Sequence, residues 1–98
     1  MQDQKIKTYI GFAIRSNSIV FGADTVVNAR KKIYLVAVAE DINETAYKRT
    51  VKKCEKESII LLRFEKGKIS ELTHRENCKC IGILDKNLSD AIYNGYNC

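Results

Sequence analysis

Ser18-Ile-Val-Phe-Gly-Ala-Asp-Thr-Val-Val-Asn28 reads as a short apolar strand that meets a single glycine and turns straight into a helix. The branched and aromatic run Ile19-Val20-Phe21, bounded by Asn17 and Gly22, favours a strand. Beyond Gly22, Asp24 to Lys32 reads as a helix, with Asp24 or Thr25 capping its free N–H groups and Arg30, Lys31 and Lys32 in its last turn. Such a corner points unpaired backbone N–H groups outward and offers a place for phosphate or another anion. The same geometry also serves simply to turn a chain.

Upstream, Ile6, Ile10, Ala13 and Ile14 recur at the spacing of one helical face, which predicts an amphipathic helix over Lys5 to Arg15. Downstream, Ile33-Tyr-Leu-Val-Ala-Val-Ala39 is continuously apolar, as in a strand covered on both faces by helices. Asp41 with Glu44, or Asn43 alone, then starts a helix over Glu44 to Glu57 with Tyr47, Val51 and Cys54 on its inner face. Lys48, Arg49, Lys52, Lys53 and Lys56 lie elsewhere on it, the pattern of an ordinary solvated face. Ile59 to Phe64 reads as a second buried strand, Glu65 to His74 as a turn plus a short helix, and Cys80 to Leu84 as the last strand. A final helix begins at Asp85 to Asn87 and stops at Asn94-Gly95. This alternation predicts an α/β domain whose sheet is mostly parallel and lies between helices.

The 98 residues are expected to form one domain, 1–98, since no proline-rich, glycine-rich or blocked-charge segment divides them. Seventeen lysines and arginines against twelve acids give a net charge of +5, which favours an acidic partner, nucleic acid foremost. The polar start Met1-Gln-Asp-Gln-Lys5 shows no secretory h-region, and the longest apolar run, Ile33 to Ala39, is too short to span a bilayer. A cytoplasmic protein with no membrane partner is expected. Its cysteines, Cys54, Cys78, Cys80 and Cys98, are then read as free thiols.

Tyr9-Ile-Gly-Phe-Ala-Ile-Arg15, then Ile19-Val-Phe-Gly22, then Tyr34-Leu-Val-Ala-Val-Ala-Glu-Asp41, with Asn43-Glu-Thr45 opening the third helix, follow one another in an order that resembles the ribosomal protein L-seven-Ae and L-thirty-e family of kink-turn RNA-binding proteins. Within that family the chain is most similar to the small bacterial YlxQ-like branch. The resemblance covers nearly the whole chain. It implies a three-layer α/β/α sandwich with a mixed four-stranded sheet, and a corner at Gly22 that recognises RNA.

In kink-turn binders the corner carries glycine, any residue, asparagine, glutamate, two further residues and lysine. The matching positions here are Gly22, Ala23, Asp24, Thr25 and Asn28, so the glycine is kept and the three reading side chains are replaced. The family's second contact, an apolar loop before the last strand, corresponds to the polar His74-Arg-Glu-Asn-Cys-Lys79. The resemblance therefore implies binding to structured RNA, ribosomal RNA included, with altered specificity. Arg15, Lys31 and Arg75 are candidates for phosphate contacts beside the corner.

Two other chemistries are weighed. Cys78 and Cys80 with His74 form a set that a metal uses, but lack the paired spacing of structural zinc sites, so no metal or cofactor is expected. Glu40 and Asp41 at the end of the central strand are carboxylates that can hold Mg²⁺ or move protons, yet no nucleophile and base accompany them, and no phosphate-cradling glycine loop is present. The expectation is a monomeric, non-enzymatic RNA-binding protein. The alternative is a protein-interaction scaffold of the same fold, using the helix Lys48 to Lys56 or a sheet edge.

Overall fold

The computed structural model describes all of residues 1–98 and contains five helices and four strands. In order these are α1 (Asp3–Arg15), β1 (Ile19–Phe21), α2 (Ala23–Asn28), β2 (Leu35–Ala39), α3 (Glu44–Glu57), β3 (Ile60–Phe64), α4 (Lys68–Thr73), β4 (Cys80–Ile83) and α5 (Lys86–Tyr96). The strands form one sheet in the order β1-β4-β2-β3.

β2 shows why an unbroken apolar run was needed. All five of its residues are buried, and the two-residue period of a strand divides them between layers. Leu35, Ala37 and Ala39 join Ile6, Ile10 and Ile92 under α1 and α5, whereas Val36 and Val38 join Val26, Cys54 and Cys80 under α2 and α3. The result is the three-layer α/β/α sandwich with a mixed sheet.

The alternation of elements misleads on strand direction. β2 and β3 are the one parallel pair of neighbours, while β4 runs antiparallel to both β1 and β2. After β3 the chain passes through α4 and the loop 74–79 and re-enters the sheet at the end where β3 finished. β3 is an edge strand with Arg63 exposed, not a strand buried on both faces. The Tyr96 hydroxyl donates to the Arg63 carbonyl at 2.7 Å and covers part of that edge.

Element boundaries differ from the local reading, most of all in α2 and α5. α2 ends at Asn28 because Ala29 turns extended (φ −64°, ψ 133°), which frees the chain to bring Ile33 into the α2–α3 layer. Arg30, Lys31 and Lys32 therefore lie beyond the helix and not in its last turn. α5 continues through Asn94-Gly95, because Gly95 is where α5 meets α1. A Cβ there would lie 3.2 Å from Ile6 Cγ1, and the Gly95 carbonyl accepts from Gln2 N at 2.9 Å. α2 is capped by neither Asp24 nor Thr25, since its N-cap is Gly22. By contrast α3 starts as read, with Asn43 Oδ1 accepting from Thr45 N at 2.9 Å and Ala46 N at 3.3 Å. Its most buried residue is Thr50, whose hydroxyl donates back to Ala46 O at 2.8 Å, so the hidden polar group costs little.

Lys68 fixes α4 to α1. Its side chain is 10% exposed, and Nζ lies 2.7 Å from Asp3 Oδ2 and 3.8 Å from Glu71 Oε2. The hydrogen bond to Asp3 outweighs the burial and raises the ammonium pKa above its ordinary 10.5. A group raised on folding contributes stability that is complete below its unfolded pKa and is lost as pH climbs through the folded one. Lys68→Met is expected to cost about 1–2 kcal/mol at neutral pH and to remove this alkaline component. Thermal melts of both proteins between neutral pH and about pH 11 check it. Parallel pH profiles would dismiss the assignment.

Candidate nucleic-acid interface

β1, β2 and β3 finish, and β4 begins, at one end of the sheet. A cleft of about 330 Å³ opens there between Phe21, Gly22 and Ala23 on one wall and the segment Arg75 to Cys80 on the other, with Ile42 at its side. Gly22 makes the corner possible. Its φ of +92° with ψ of 146° is backbone that side-chain-bearing residues rarely adopt. In that conformation its N–H donates to Cys80 O at 2.8 Å, which ties the first wall to the second.

The second wall is held open by its own hydrogen bonds. His74 and Asn77 both take left-handed backbone (φ 58°), bending the chain twice within four residues. Ser70 Oγ accepts from Cys78 N at 3.1 Å and donates to Cys78 O at 3.2 Å, so α4 anchors the base of the loop. The loop projects Arg75 across the cleft mouth, where its guanidinium carbon sits 4.0 Å from the Phe21 ring centroid.

The charges are arranged unevenly. Asp24 is exposed, and its Oδ1 lies 2.7 Å from Arg49 Nη1 on α3. That negative charge is thereby matched by a cation from a different helix. Lys79 Nζ lies 3.2 Å from Asp41 Oδ2. Glu40 Oε1 accepts from Lys66 N at 3.2 Å, so this carboxylate braces the turn after β3. Arg75 makes no ion pair, which leaves it the free cation of the cleft wall.

The candidate residues separate into three places. Gly22, Ala23 and Arg75 line the cleft, and Asp24, Thr25 and Asn28 stand on the exposed side of α2 next to it. Arg15 lines a neighbouring groove of about 390 Å³ with Lys7 and His74, its guanidinium over Phe12 at 4.9 Å. Lys31 lies at the far end of the sheet, four residues before β2 begins, and lines neither. With only six residues, α2 is too short for its amides alone to make an anion site. Arg49, Phe21 and Lys79 are functional candidates that local reading passed over. The only signal for Arg49 was its place in the basic run of α3.

His74, Cys78 and Cys80 do not converge. Cys80 is buried in the α2–α3 layer, Cys78 faces the cleft, and His74 lines the other groove. Burial pushes the Cys80 thiol up to about 12 and the Cys54 thiol up to about 11. Iodoacetamide at about pH 8 is expected to modify Cys98 and Cys78 in the folded protein, and Cys54 and Cys80 only after unfolding. Peptide mapping by mass spectrometry reads this directly, and fast labelling of Cys80 would contradict the packing described.

Fold and cleft together define a small α/β/α sandwich with one concave, partly basic end. The chain is similar in structure to a protein with unknown function from Bacillus halodurans C, with a TM-score of 0.85 at 20% identity over 95% of this chain and 97% of that one. At that identity the likeness establishes the fold. No protein-family model matches the chain, and no curated protein matches it. No helix is long and apolar enough to cross a membrane.

Proposed function

We propose that this domain is a cytoplasmic, monomeric RNA-binding protein resembling the L-seven-Ae family and its bacterial YlxQ-like branch. It holds structured RNA, ribosomal RNA included, at the cleft and acts by binding, not by catalysis. The observation that carries this reading is the meeting of the Gly22 corner and the His74–Lys79 loop as two walls of one cleft, joined through Gly22 N–H and Cys80 O. These are the two segments to which the resemblance assigns RNA contact. Replacement of the base-reading side chains shifts recognition toward backbone contacts, and hence toward altered specificity.

Asp24 weakens such binding without forbidding it, because Arg49 at 2.7 Å offsets its charge. Fluorescence anisotropy with a kink-turn RNA, a plain duplex and a single strand tests the proposal. Affinity for structured RNA is expected to fall with salt at a log–log slope of about −0.9 per phosphate contacted. Asp24→Asn, which releases Arg49, is expected to steepen the slope by about one further contact and to raise affinity several-fold, with stability altered by less than about 1 kcal/mol. Weak, salt-insensitive and equal binding to all three RNAs would sink the reading. It would also leave protein binding along the β3 edge as the surviving alternative.

A further inference from the structure

A basic surface lies on α3, outside the cleft walls. Arg49, Lys52, Lys53 and Lys56 recur on α3 at three- and four-residue spacing and so form one stripe. With Val27 of α2 and Glu57 they line a groove of about 320 Å³. Two of the four cations are already matched, Arg49 by Asp24 at 2.7 Å and Lys53 by Glu57 at 2.6 Å. Lys52 and Lys56 have no ion-pair partner. Glu55, seven residues from Lys48, falls on the flank of the helix rather than on this stripe.

A second group of cations is brought alongside by one hydrogen bond. Lys53 Nζ donates to Ala29 O at 3.2 Å, which ties α3 to the residue before the run Arg30-Lys31-Lys32. All three side chains are exposed and none makes an ion pair, Lys32 having only the Tyr34 ring at 5.0 Å. Arg30, Lys31, Lys32, Lys52 and Lys56 are thus five cations without an ion-pair partner on the α2–α3 side of the molecule. The stripe reaches the cleft at the Asp24–Arg49 pair, so the two surfaces are continuous.

We propose that this α2–α3 strip seats the phosphate backbone of a duplex stem in the RNA whose structured element occupies the cleft. The inference rests on the RNA reading above. From Arg49 to Lys56 the stripe runs about 10 Å along α3, enough to follow a few phosphates of an A-form RNA stem. Val27 is the one hydrophobic residue lining the groove and no aromatic ring does, which suits phosphates rather than stacked bases. Lys31 thereby has a role in a phosphate contact outside the cleft.

The test uses the whole protein and two RNAs that share the structured element, one with a long flanking stem and one with the stem trimmed. The double variant Lys52→Gln/Lys56→Gln is expected to lower the salt slope for the long-stem RNA by about 1.8 and its affinity by roughly tenfold. Binding of the trimmed RNA should change less than twofold. Arg75→Glu should weaken both RNAs. If Arg75→Glu weakens binding while the double variant leaves the long-stem slope and affinity unchanged, the strip proposal is overturned and the RNA reading stands. Absence of salt-dependent binding by the unaltered protein to either RNA overturns both.

Discussion

Charge reversal at Arg75 is expected to weaken binding of structured RNA by roughly 10- to 100-fold, because the cleft then loses its one unpaired cation and gains a repelling carboxylate. Lys79 is committed to Asp41 at 3.2 Å, and Arg49 to Asp24 at 2.7 Å. A hydrogen bond to a charged group contributes about 1.5–3 kcal/mol, and removing it sets the size of the loss. Stability should hardly move. The contact of Arg75 with Phe21 is an exposed cation–π pair, worth about 0.5–1 kcal/mol, so the melting temperature should drop by only a few degrees. Arg75→Lys makes an informative companion. It keeps the charge but loses the flat guanidinium that lies on the ring, and its affinity should fall between the other two. Anisotropy titrations paired with thermal melts decide the matter. An unchanged affinity for Arg75→Glu would remove the cleft from the binding surface.

The second large effect is expected at Gly22. Substitution by valine should cost about 3 kcal/mol, the upper end of the range for side-chain-bearing residues held in disfavoured backbone. Space is not the obstacle, since a Cβ at Gly22 would meet nothing nearer than Thr25 Oγ1 at 4.0 Å. The cost is conformational, arising from φ of +92° combined with a β-branched side chain. For a domain of this size such a loss lowers the melting temperature by about 12–24 °C. Relaxing the strain would swing Gly22 N–H away from Cys80 O and part the cleft walls, so RNA affinity should fall as well, even at temperatures where the variant is folded. Gly22→Ala should show the same pattern with a smaller loss. A variant with native stability would show that the corner does not need glycine.

Gly22 also marks how far local reading reaches. A lone glycine between Ile19-Val20-Phe21 and a polar helix start announces its corner, and Asn43 announces α3, because capping and backbone preference act within three or four residues. The burial of β2 on both faces was equally plain from its unbroken apolar run. The direction of β4 was not, because six-residue α2 and six-residue α4 join strands of like and of opposite direction, respectively, and nothing local separates the two cases. The end of α2 was missed because extended backbone at Ala29 is imposed by Ile33 reaching the core, and the continuation of α5 because Gly95 answers to Ile6 across the helix pair.

The amino-acid sequence by itself determined the order of elements, the corner at Gly22, the core residues of the central strand and the excess of five positive charges. Only the tertiary structure decided which charges are free. Asp24 and Arg49 are 25 residues apart, Lys53 and Ala29 are 24 apart, and Arg75 lies on Phe21 from the far half of the chain. Coulombic pairing depends on distance through space, which is set when α3 packs on α2 and the loop before β4 folds over β1. That packing pairs Asp24 with Arg49, leaves Arg75 open at the cleft, and leaves Lys52 and Lys56 unpaired on the α2–α3 strip.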